Sequence, residues 1–169
     1  MKIKLMVLAV LLLLSSQMGW AQTDASRFTK EKNNQVKEYL PFDNKDDFRD
    51  AGRGFIATID QPAILNTDGS VAFDLDGWNF LNKDAPATVN PSLWRQSQLN
   101  KTHGLFEVLP GKIYQIRGFD LANMTFVRTE QGWVIIDVET FNATAQSGYD
   151  LVEKHLGDLP EKAIIFSSV

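Results

Sequence analysis

Apolar and polar positions follow no steady rhythm in the first part of the chain and a regular one from Leu105 onward. "LFEVLPGKIYQIRG" places two short β-type runs on either side of Pro110-Gly111, a turn pair. "MTFVRTEQGWVIIDV" repeats the arrangement around a polar turn from Thr129 to Gly132. Its second run, Trp133 to Ile136, is nearly all apolar and ends abruptly in Asp137. Such a run predicts a central strand covered on both faces. Phe141, Ala145, Tyr149, Val152 and Leu156 then recur at spacings of three and four, which places them on one helical face. Thr140 is the expected N-cap and Gly157 the expected C′ residue, with Pro160 just beyond. "KAIIFSSV" follows as another apolar run. Strand, helix and strand with short joints form a βαβ crossover, so the two strands are expected to lie parallel in one sheet of an α/β fold.

Upstream, "AILNTDGSVAFDL" reads as two short strands around the turn pair Asp68-Gly69. The stretch from Asp76 to Gly104 carries Trp78, Phe80 and Trp94 without a sustained period, and Pro86 and Pro91 rule out a long helix. It is expected to be an irregular excursion held down by aromatics. Residues 22–60 are polar and charged, with Val36, Tyr39, Leu40, Phe42 and Phe48 spaced as on short helices. Asn44 or Asp43 is placed to cap a turn before Phe48. This is read as an arm on the outside of a domain spanning residues 61–169, although Gln22 to Asn34 also fits a disordered linker.

The first residues are read separately. Lys2 and Lys4 precede an apolar stretch from Leu5 to Leu14, and Gly19 and Ala21 supply small residues for cleavage after Ala21. That is the pattern of a secretory signal peptide over residues 1–21. The apolar stretch is shorter than the ~20 residues a membrane-spanning helix needs. Export to the periplasm or beyond is the expectation. Removing the two lysines leaves 15 basic against 21 acidic residues, a net charge of −6. An acidic chain offers no electrostatic footprint for nucleic acid. With no cysteine, disulfide staples, thiol catalysis and cysteine-ligated metals are excluded.

Ligands in open α/β sheets sit beyond the carboxyl ends of the strands. Asp137 lies at one such end and Ser167–Ser168 at the next. His103 falls in a loop and His155 near a helix end, without the close companions that a three- or four-ligand zinc site requires. His155 suits the helix macrodipole, which favours a cation in the last turn. Ser167 and Ser168 lack a G-x-S-x-G elbow, and both phosphate-loop patterns are missing. Asp137 is open to two readings, an acid, base or ligand on one side and a carboxylate that orients a neighbouring loop on the other.

The segments "HGLFEV", "IYQIRGFDLANMTFV" and "GWVIID", with "FRDAGRGFIA" and "NPSLWRQSQLN" upstream, resemble the N-terminal portion of the alkyl sulfatases of the metallo-β-lactamase superfamily, the linear primary-alkylsulfatases in particular. The likeness runs from about Val36 to the end. It implies the N-terminal half of an αββα sandwich, truncated before a metal-binding loop. It also implies two zinc ions in the intact protein and hydrolysis of long-chain alkyl sulfates such as dodecyl sulfate, with a homodimer at full length. In the family the strand matching "AIIFSSV" runs into a His-x-His-x-Asp-His loop. Ser168 falls at the first of those histidines and Asp137 at a carboxylate that braces the loop. The resemblance therefore assigns this chain no catalytic residue and no metal ligand, and it is expected to be inactive alone. The alternative is an exported, non-catalytic binding module whose aromatic-rich arm takes an amphiphile or a partner chain.

Overall fold

The computed structural model describes residues 24–167. The signal segment with Ala21, and Ser168, lie outside the described residues. Helix α1 spans Arg27–Tyr39 and α2 spans Asp46–Ala51. Strand β1 (Phe55–Ala57) follows, then the pair β2 (Ala63–Leu65) and β3 (Val71–Asp74), a 3-10 helix over Asp76–Asn82 and α3 (Pro91–Asn100). The regular half contains β4 (Gly104–Leu109), β5 (Ile113–Arg117), β6 (Met124–Thr129), β7 (Gly132–Ile136), α4 (Asn142–Leu156) and β8 (Glu161–Ile165).

Six strands form one mixed sheet in the order β1-β4-β5-β6-β7-β8. All neighbours are antiparallel except β7 and β8, which pair parallel as the crossover requires. Side chains alternate between faces of a strand, so register decides what is buried. Tyr114 opposes Phe126, Ile116 opposes Met124 and Phe126 opposes Ile135. These residues are buried, and they form the core together with Leu105, Trp133 and the α4 residues Leu151 and Val152. Trp133 is packed edge-on by Tyr114 and Phe126, with ring centroids 5.9 and 5.7 Å away. Gly148 lets α4 approach closely, because a Cβ there would stand 3.1 Å from Ile116 and 3.2 Å from Met124. The hairpin β2–β3 adds Ile64 to the same core.

Several expectations are revised. The buried face of α4 carries Thr144, Gly148, Leu151 and Val152, while Phe141 is exposed. Val152 of the predicted stripe is buried and Tyr149 and Leu156 pack against the core, while Phe141 does not join them. In β7 the side chains of Trp133 and Ile135 are buried on one face, with Val134 and Ile136 half-buried on the other. One face of this strand is covered, where the apolar run predicts two. Gln22 to Asn34 is no linker where described: α1 begins at Arg27, is capped by Ser26, and buries Asn33, whose Nδ2 donates to the Ala87 carbonyl at 2.8 Å. Pro91 opens α3 instead of merely forbidding a longer helix, with Asn90 Oδ1 accepting from the Ser92 amide at 2.9 Å.

The arm is fastened to α3 by one arginine. Arg95 Nε donates to Asp47 Oδ2 at 2.8 Å and its Nη1 to the Phe42 carbonyl at 3.0 Å. The guanidinium also lies over the Phe48 ring, 4.9 Å from its centroid. A planar donor fork with an aromatic beneath it suits Arg and not Lys.

Candidate functional site

β5 runs parallel to β7 and β8, since two antiparallel pairings separate it from β7. The carboxyl ends of all three strands therefore share one edge of the sheet, and β4 begins there. Asp137, Glu139, Asp120, Arg117, His103 and Ser167 gather at this edge.

Asp137 holds the exit of β8. Its amide donates to the Ile165 carbonyl at 2.8 Å. Its Oδ1 accepts from the Ser167 amide at 2.7 Å and its Oδ2 from the Ser167 hydroxyl at 2.6 Å. The Ser167 hydroxyl, and then its amide, hold the Asp137 carboxyl below the ordinary carboxylate range. Asp137 adopts φ 55°, a left-handed conformation that Asp tolerates better than most residues. This arrangement can orient the residues after β8, and it leaves the carboxylate little freedom to act as a base.

Local spacing gave no sign of Asp120. It lies in the β5–β6 loop, buried, and works as a cap for α4 from outside that helix. Its Oδ2 accepts from the amides of Thr140 and Phe141 at 2.7 and 3.3 Å. Its Oδ1 accepts from the Thr140 hydroxyl at 3.1 Å and the Ala122 amide at 2.8 Å. The fully buried Thr144 hydroxyl also bonds Oδ2. Thr140 was the expected N-cap. The cap position is Phe141, and the capping oxygens come from Asp120, twenty residues upstream. A carboxylate at a helix N-terminus is stabilised by free amides and by the macrodipole. Burial alone would raise its pKa, but the Ala122 amide, the Thr144 hydroxyl, the neighbouring Glu139 carboxyl and the Thr140 amide outweigh that and hold it low.

Glu139 has the opposite fate. It is 5 % exposed, and among the described residues neither carboxylate oxygen has a hydrogen-bond partner. Burial, and then the neighbouring Asp120 carboxylate, push it up to about 9. At neutral pH it is a neutral acid. Two carboxyls one loop apart are thereby driven in opposite directions.

Beside this network lies a cavity of about 520 Å³, lined at its polar side by Lys101, His103, Arg117 and Asp120. His103 Nδ1 lies 3.1 Å from the Lys101 carbonyl, and His155 is exposed in the last turn of α4. Among the described residues no group of three or more His, Asp or Glu side chains is arranged to hold a metal ion. The donor set does not fit the binuclear zinc centre that the resemblance implies.

No family model matches the chain. It is 46% identical over 144 residues to an (R)-specific secondary-alkylsulfatase of Pseudomonas sp., covering 85% of this chain and 21% of that protein. It is 40% identical over 165 residues to a linear primary-alkylsulfatase of Pseudomonas sp., covering 95% of this chain and 24% of the relative. Among solved structures, a stereoselective inverting sec-alkylsulfatase from Pseudomonas sp. superposes with a TM-score of 0.77 at 46% identity, covering 84% of this chain and 22% of that one. The chain thus spans about a fifth to a quarter of the length of the relatives it matches.

Proposed function

We propose that this chain, a homologue of one segment of the alkylsulfatases, supplies the sheet and arm of an exported alkyl-sulfate ester hydrolase and does not perform the hydrolysis by itself. The identity of 46% over 144 residues is the observation that carries the reading. In this reading the segment is the N-terminal half of a metallo-β-lactamase-like sandwich, with residues 22–60 as its arm and 61–169 as the half-domain. Zinc supplies a Lewis acid and a low-pKa water when bound in such hydrolases. The described residues provide no cage for it.

What these residues do is prepare the edge at which chemistry belongs. Asp137 fixes the chain leaving β8, and Asp120 fixes the loop leaving β7. β8 is exposed along its whole length, and Ile164, Ile165 and Phe166 are each about half exposed or more. An open apolar edge strand is an aggregation hazard unless another element covers it. We assign that cover to the remaining part of the hydrolase, whose complete form is proposed to be a homodimer.

The test is a chimera. The matched segment of the Pseudomonas secondary alkylsulfatase is replaced by the corresponding segment of this chain. The expected result is a folded, zinc-loaded protein that releases sulfate from a secondary alkyl sulfate. A chimera that folds and loads zinc yet releases none would overturn the reading. That outcome would favour the non-catalytic binding module, for which the cavity at the sheet edge is the supporting observation.

A further inference from the structure

The loop that joins β5 to β6 forms one wall of the cavity through Asp120, Leu121, Ala122 and Asn123. Its first half is fixed by packing. A Cβ on Gly118 would stand 2.9 Å from the Thr102 carbonyl oxygen, and Phe119 is fully buried. Its second half has less to hold it. Leu121 is 87% exposed, and Asp120 ties the loop to the start of α4 through its carboxylate.

Glu139 stands within hydrogen-bonding reach of that same carboxylate. It is buried, and among the described residues no N–H or O–H group donates to either of its oxygens. An ionised Glu139 would be a buried anion without a donor, set beside a second anion, and both features cost heavily. A protonated Glu139 is itself a donor, and Asp120 is the acceptor next to it. Which of the two holds the proton follows from their partners. Asp120 takes the amides of Ala122, Thr140 and Phe141 and the hydroxyls of Thr140 and Thr144, so it is the anion. Glu139 takes none, so it is the acid. The crowd of N–H and O–H groups around Asp120 also disfavours a metal ion between the two.

Other charged groups nearby do not reverse this assignment. Lys101 at the end of α3, His103 before β4 and Arg117 at the end of β5 line the cavity with Asp120. The cations among them favour an ionised Asp120. Asp137 is engaged by Ser167, and the first turn of α4 brings no acidic residue. Asp120 is held low and Glu139 pushed up, as expected of a pair that titrates as one unit.

We propose that Glu139 donates its proton to Asp120, so that one shared proton latches the second half of the β5–β6 loop, and with it a wall of the cavity, to the start of α4. Loss of that proton in alkaline solution leaves two buried carboxylates side by side, and the latch opens. The inference is independent of the hydrolase reading.

The experiment is NMR of the 169-residue chain, following the Glu139 carboxyl carbon and the Ala122 and Thr140 amides from about pH 5 to about pH 11. The expected result is a Glu139 midpoint well above the ordinary carboxylate range, with both amides shifting at that same midpoint. Glu139→Gln keeps an N–H donor for Asp120 and has no proton to lose, so the alkaline shift of the two amides should vanish. Asp120→Asn removes the negative charge and offers Glu139 an amide donor, so the Glu139 midpoint should fall by about one pH unit or more. An ordinary midpoint for Glu139 would overturn the proposal. So would a high midpoint that Asp120→Asn leaves unmoved, because burial alone then holds the proton. Amides that shift alike in wild type and Glu139→Gln would overturn it too, and that comparison decides by itself if Asp120→Asn does not fold.

Discussion

Replacing Asp120 by alanine is expected to lower the melting midpoint by about 10 °C at pH 7, from a loss of about 3 kcal/mol. The truncation removes an acceptor that serves the amides of Ala122, Thr140 and Phe141 and the hydroxyls of Thr140 and Thr144. Thr144 is fully buried, so its hydroxyl loses this acceptor out of reach of bulk water. Asp120→Asn keeps one carbonyl acceptor and is expected to cost about half as much. The sign with pH follows from the lowered pKa. The contribution is fully present above the unfolded value of about 3.9 and is lost as pH falls through the lower folded value. The gap between wild type and Asp120→Ala should therefore narrow in strong acid. Thermal unfolding across pH checks both statements. A midpoint within 2 °C of wild type at pH 7 would remove Asp120 from its capping role.

Glu139→Gln should do the reverse and stabilise the protein, increasingly so as pH rises above about 4.5. The wild-type carboxyl is pushed up to about 9 in the fold against an ordinary 4.5. An acid with a raised folded pKa binds its proton more tightly when folded. Its unfavourable contribution is absent below the unfolded value and grows between the two values, by at most about 1.4 kcal/mol per pH unit. It reaches its full size above the folded value. Glutamine is neutral throughout and has no such slope. Wild type and variant should melt alike near pH 4, and the variant should melt higher by about 5–10 °C at pH 8. Equal midpoints at pH 8 would mean that Glu139 is ionised and solvated.

These two carboxyls also mark where sequence reasoning stops. The strands from β4 to β7 were legible because alternation, Pro110-Gly111 and the Thr129–Gly132 turn all speak locally. The parallel pairing of β7 with β8 followed from the short joints around α4. Asp120 was not legible, because apart from the Ala122 amide its partners lie twenty and more residues downstream and only the fold brings them together. Thr140 was expected to cap α4 because its type is right, yet its own amide and hydroxyl, and the Phe141 amide, are donors to Asp120. Spacing placed Val152, Tyr149 and Leu156 on the core side but also Phe141, which is exposed, since periodicity weighs apolar residues and overlooks Thr144 and Gly148. The Asn90-Pro91 pair is a helix start as well as a break, since proline at the first helical position has no amide to satisfy. Glu139 carries no sequence signal at all.

The most direct test of the whole account is the zinc content of the purified 169-residue polypeptide after equilibration with excess metal and gel filtration, read together with sulfate release from dodecyl sulfate. The account predicts well under one zinc per chain and no sulfate release. Two tightly held zinc ions per chain, with sulfate release that a chelator abolishes, would contradict it.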